Sequence, residues 1–128
     1  FYPLYAAASG GHREVVAALI AAGANVDKAS SDGITPLSSA AAFGHRGGVA
    51  ALIAARANVD KGDLHEGRTP LFMAARMGHV EVVRLPVRAG ADTTLGNENG
   101  PPIDQVCKHP SADKANEAAI KAILRSAA

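Results

Sequence analysis

Three histidines recur in this chain, each preceded by glycine: Gly11-His12, Gly44-His45 and Gly78-His79. Imidazoles at regular intervals suggest a zinc site. Zinc, however, gathers its ligands within about 2.0–2.3 Å of one point. Equivalent residues on stacked helices stand one packing distance apart, roughly 8–10 Å. The histidines therefore predict no metal site. Cys107 is the single cysteine and falls at a small core position, so it reads as a buried, inert thiol rather than a nucleophile. Ser38 and Ser39 precede an alanine run with no paired base. No phosphate-cradling glycine loop, dinucleotide fingerprint or pair of carboxylates in a plausible cleft is present. The expectation is a chain with no catalytic residue, no cofactor and no metal.

What places those histidines is a repeat. Residues 11–27 read GHREVVAALIAAGANVD, residues 44–60 read GHRGGVAALIAARANVD, and residues 78–92 read GHVEVVRLPVRAGAD. Upstream of each stands YPLYAAASGGH, TPLSSAAAFGH or TPLFMAARMGH, with Pro3, Pro36 and Pro70 in register. A fixed period of about 33 residues means stacked units, none of which buries its apolar face alone.

Composition narrows the class. Net charge is +1 on balanced acids and bases, which leaves no electrostatic footprint for nucleic acid or an anionic membrane. Apolar residues make up 48% and aromatics only 4%, so the core must be closely packed helices with small contact residues. One cysteine allows no internal disulfide, and neither a signal peptide nor an apolar run long enough to insert in a membrane is visible. These features favour an intracellular setting. The start at Phe1, inside a repeat, reads as a piece of something longer.

Residues 30–62 give the most complete unit. Asp32-Gly33 supplies a tight turn. Thr35 is a plausible N-cap with Pro36 at the first helical position. Leu37, Ala40 and Ala41 share one helix face, and Gly44 ends that helix. His45 opens a second helix carrying Val49, Leu52 and Ile53. The repeated pattern D-x-x-G-x-T-P-L-x-x-A-A-x-x-G-H-x-x-V-V-x-x-L-L-x-x-G-A-[DN] resembles the ankyrin repeat, over almost the whole chain. The resemblance implies an all-α solenoid of stacked helix-turn-helix units joined by hairpin-like turns. Its units are 1–29, 30–62, 63–96 and a degenerate 97–128. In the last unit Ile103 takes the leucine place and Val106-Cys107 the Ala-Ala place. A helix over 112–126, with Ala115, Ala119, Ile120, Ile123 and Leu124 inward, resembles a C-terminal cap. The resemblance also makes the recurring histidines structural.

Several residues break the pattern. Pro86 stands where Leu19 and Leu52 do, mid-helix, and predicts a kink or loosening around Val82 to Leu85, making the third unit the least regular of the first three. Gly48 replaces Val15 and Val82, with Gly47 beside it. Arg56 replaces Gly23 and Gly90 at a left-handed cap. The histidine that usually follows Thr-Pro-Leu in the family is absent, with Tyr5, Ser38, Phe72 and Asp104 in its place.

Family partners are gripped by hairpin tips and the outward face of the first helix. The matching positions here are Ser31, Asp32 and Ile34, then Ala42 and Phe43; His65, Glu66 and Arg68, then Arg76 and Met77; and Glu98, Asn99 and Lys108. Ile34, Phe43 and Met77 are apolar where solvent is expected, rimmed by Asp32, Glu66, Arg68 and Arg76. The implied function is non-catalytic binding of another protein through turn tips and the concave helix face. The alternative is a structural or regulatory segment of a longer enzyme, channel or multi-subunit assembly.

Overall fold

The computed structural model describes residues 2–96 and 100–127. Within them seven α-helices form three antiparallel pairs and a closing helix: α1 (Pro3–Ser9), α2 (Arg13–Ala21), α3 (Pro36–Ala42), α4 (Arg46–Ala54), α5 (Pro70–Met77), α6 (Val80–Arg88) and α7 (Glu117–Ala127). No strand ladder occurs among the described residues. The first helix of each pair stacks on its counterpart, α1 on α3 on α5, and the second helices form a parallel row, α2, α4, α6 and α7. Helices of 7 to 9 residues are too short to persist alone. The shared core between the rows supplies their stability: Leu37, Ala40, Ala41, Val49, Leu52, Ala74, Ala75 and Val83 have no more than a trace of exposure.

Each pair is built by local chemistry. The Thr35 hydroxyl accepts the N–H of Ser38 at 3.1 Å, and that of Thr69 accepts Phe72 N–H at 3.1 Å. Pro36 and Pro70 follow at the first helical positions, where a missing N–H costs nothing. Gly44 then reverses the chain at φ 73°, and an added Cβ would meet the His79 ring at 2.8 Å. Both its backbone freedom and its lack of a side chain are needed there. Arg56 adopts φ 65° where Gly23 has 88° and Gly90 has 86°. The chain thus accepts the left-handed cap without glycine, as strain.

Pro86 does not break its helix. α6 is helical without interruption from Val80 to Arg88, nine residues long like α2 and α4, so the expected disturbance at Val82 to Leu85 does not interrupt it. Its end repeats theirs, with Ala91 N–H donating to Pro86 O at 2.9 Å as Ala57 does to Leu52 O and Ala24 to Leu19 O at 3.0 Å. Pro86 is buried in the Leu52 place, and Val82 and Val83 are buried beside it. α6 is held on both sides, by α4 and α7, so its conformation is imposed by packing even though Val82 O loses its helical donor.

The fourth unit is degenerate, as its sequence implies. Its first helix shrinks to a 3-10 turn at Pro102–Gln105, and Cys107, buried, leaves the helical region at φ 55°. The expected helix over 112–126 instead begins with a 3-10 turn at Lys114–Asn116 before α7. Ile120 and Leu124 are buried and Ile123 packs on the core, whereas Ala115 and Ala119 face solvent. Ala115 falls in the 3-10 turn, off the helical stripe, and Ala119 lies beside that stripe on α7 with nothing covering it.

Candidate functional site

The recurring histidines hold units together. A carbonyl can only accept, so His45 Nε2 donates to Ser9 O at 3.0 Å and His79 Nε2 donates to Ala42 O at 2.9 Å. Each ring thereby ties the start of one unit's second helix to the end of the first helix in the unit before. In the fourth unit Asn116 substitutes, its Nδ2 donating to Gly78 O at 2.9 Å. Among the described residues no group of three or more His, Cys, Asp or Glu could hold a metal ion. The Cys107 thiol lies 3.4 Å from Asp113 O, and burial, with the nearby Glu117 charge, pushes it up from the usual thiol value.

A second ladder runs along the turns after α2, α4 and α6. Asp27 accepts Asn58 N–H and Asp60 accepts Asp92 N–H, both at 2.8 Å. Within each turn Asn25 Oδ1 accepts Asp27 N–H and Asn58 Oδ1 accepts Asp60 N–H, at 3.0 Å. At the third turn Asp92 accepts both the N–H and the hydroxyl of Thr94, which hold its carboxyl below the usual carboxylate value.

The hairpin between α4 and α5 is the most elaborate surface feature. Its base residue Asp63 is the side chain that sequence reasoning missed. Burial pushes its carboxyl up, but the N–H of Glu66 at 2.8 Å, the Arg68 guanidinium at 2.6 Å and the Arg68 N–H outweigh that and hold it low. The tip residue Leu64, also missed, is 75% exposed and packs on Gly33 of the preceding turn. The available signal was the spacing: this turn is one residue longer than the one before α3, which closes through Ser30 N–H to Ile34 O.

The proposed contact residues divide as follows. Ser31, Asp32, His65 and Glu66 are exposed at the hairpin tips, with His65 Nε2 at 3.1 Å from Asp32 Oδ1 across adjacent turns. Glu66 lies 3.8 Å from Arg68, which is half-buried against Asp63. Phe43 is 61% exposed at the end of α3, its ring centroid 6.1 Å from that of His45. Ile34, Met77, Ala42 and Arg76 are half-buried, so the expected fully exposed apolar set reduces to Phe43, joined by Leu64. Lys108 is exposed. Glu98 and Asn99 lie outside the described residues. Among the described residues no helix is long and apolar enough to cross a membrane.

This geometry agrees with comparisons to known proteins. Residues 1–63 match the family model described as ankyrin repeats (3 copies), and residues 66–98 match the ankyrin repeat model. A Caenorhabditis elegans protein, "Ankyrin repeat and KH domain-containing protein mask-1", is 39% identical over 97 residues, which is 73% of this chain. The chain spans 4% of the length of that relative.

Proposed function

Because the chain belongs to the ankyrin repeat family, whose members are generally protein-protein interaction modules, we propose that it binds a partner protein through its turn tips and the outer face of its first helices. The observation that carries this reading is the two most exposed large apolar side chains among the described residues, Phe43 at the end of α3 and Leu64 in the hairpin between α4 and α5. Both stand on backbone fixed from beneath: α3 is capped by Thr35, and the hairpin is clamped by Asp63. A rigid aromatic or aliphatic anchor surrounded by Ser31, Asp32, His65 and Glu66 has the makeup of a contact hot spot with a polar rim. Ile34, Arg68, Arg76 and Met77 belong to the same proposed surface, as do Glu98 and Asn99, which lie outside the described residues. The chemistry asked of these groups is complementarity alone.

The test is capture of binding proteins by the intact chain, repeated with Phe43→Ala and Leu64→Ser, with circular dichroism as the folding control. Each substitution is expected to weaken a genuine partner by about fivefold or more, the usual measure of an anchor worth over 1 kcal/mol. A partner held equally well by both folded variants would place the contact surface elsewhere.

A further inference from the structure

The surface that carries Phe43 and Leu64 is polarised along α3. At one end stand the hairpin tips, tied together by Leu64 N–H donating to Asp32 O at 3.0 Å. Asp32 and Glu66 are exposed there, and no cation is committed to either. Asp32 has the His65 imidazole at 3.1 Å, while Arg68 serves Asp63 at 2.6 Å and only approaches Glu66 at 3.8 Å. Lys61 makes no ion pair with either among the described residues.

At the other end stand two cations. Arg76 lies in the last turn of α5, and Lys108 is exposed in the fourth unit. His109, the residue after Lys108, donates its N–H to Arg76 O at 3.2 Å, which makes the two neighbours. Neither cation has an ion pair or a side-chain hydrogen bond among the described residues. The exposed apolar groups mark the same two ends: Leu64 packs on Gly33 just before α3, and Phe43 follows its last residue. Between them α3 spans about 10 Å at about 1.5 Å per residue. It raises no large side chain there, since Ser38, Ser39, Ala40 and Ala41 are buried and Ala42 is half-buried.

Resting on the reading that this surface binds protein, we propose that its occupant is one amphipathic segment of a partner lying along α3. That segment sets lysine or arginine against Asp32 and Glu66, apolar side chains against Leu64 and Phe43, and aspartate or glutamate against Arg76 and Lys108. Charge complementarity at both rims carries the assignment. A uniformly acidic occupant meets like charge at the tips, and a uniformly basic one meets it at Arg76 and Lys108.

Three fluorescent peptides with one apolar centre test this on the whole chain. One bears lysines at one end and glutamates at the other, one bears lysines at both ends, and one bears glutamates at both. By anisotropy the mixed peptide is expected to bind about fivefold or more tightly than the others, a margin that shrinks as salt rises from about 0.05 M to about 0.5 M. Asp32→Lys with Glu66→Lys is expected to move the preference to the all-glutamate peptide. Arg76→Glu with Lys108→Glu is expected to move it to the all-lysine peptide. Circular dichroism checks the fold, and Lys108→Glu alone, at an exposed position, should act in the same direction as the pair. Equal binding of the three peptides, binding of none, or a preference that these substitutions leave unmoved would overturn the polarised occupant. Loss of peptide binding in Phe43→Ala and Leu64→Ser with no charge preference would overturn the occupant and leave the binding surface standing. Peptide binding that survives both of those variants would overturn the surface itself.

Discussion

Ser38 shows what a single departure from the repeat pattern costs. It stands where the family pattern has histidine, and its hydroxyl oxygen is buried with no hydrogen-bond partner. Its neighbour Ser39 fares better. Ser9 gives its proton to Tyr5 O, so Ser39 must donate to Ser9 at 2.5 Å. An orphaned buried hydroxyl costs about 1–3 kcal/mol. Ser38→Ala is therefore expected to stabilise the chain by about 1 kcal/mol in urea unfolding, whereas Ser39→Ala should destabilise it. Arg56→Gly removes a left-handed strain of about 1 kcal/mol and should raise the midpoint correspondingly. Asp63 sets a pH dependence. Its carboxyl is held below the unfolded value, so its stabilisation is complete above the ordinary aspartate pKa and is lost as pH falls through the folded one. Asp92 acts in the same direction. Urea midpoints measured from pH 7 down to about pH 3 should fall, and Asp63→Asn should flatten part of that slope.

At the scale of the element, α6 carries the sharpest conflict between local preference and tertiary packing. A proline in a helix interior costs about 3 kcal/mol, yet α6 keeps the length and the terminal hydrogen bonds of its sisters. The packing that enforces this does not restore the donor missing at Val82 O. Pro86→Leu should accordingly raise stability by roughly 2 kcal/mol with no gain in helical content by circular dichroism. A large gain in helix would mean that α6 is broken in solution. Gly48 in α4 offers a milder case. A Cβ added there would rest 3.8 Å from that of Ala40, an ordinary contact, so Gly48→Ala should stabilise by about 1 kcal/mol through helix propensity alone.

For the molecule as a whole, stability depends on nearest-neighbour junctions, and the closing helix matters as much as any internal one. Ile120 and Leu124 from α7 are buried against α6 and the fourth-unit turn. Ile120→Ala should cost about 2–5 kcal/mol and lower the midpoint of the entire unfolding transition, because α6 then loses the support that holds it helical through Pro86. Fluorescence of a dye placed near α1 should report the same midpoint as circular dichroism. A local loss confined to the last unit would show that the stack is less cooperative than this.

The repeat period, the helix pairs, the Thr-Pro starts and the left-handed Arg56 were all legible in the sequence, because each depends on residues a few positions apart. Fold class followed from the same pattern, since a unit that cannot bury its own face must stack. The tertiary structure alone decided three matters. It kept α6 whole, since neighbours on both sides outweigh a local penalty that the sequence displays in isolation. It left Phe43 and Leu64 in solvent while drawing Ile34 and Met77 half inside, because exposure depends on what the adjacent unit covers. It also turned Ala115 outward, since that residue lies in a 3-10 turn whose Asn116 reaches back to Gly78 in the unit before, and it left Ala119 of α7 uncovered. Those contacts join residues more than 30 positions apart, and a local reading of spacing cannot supply their geometry.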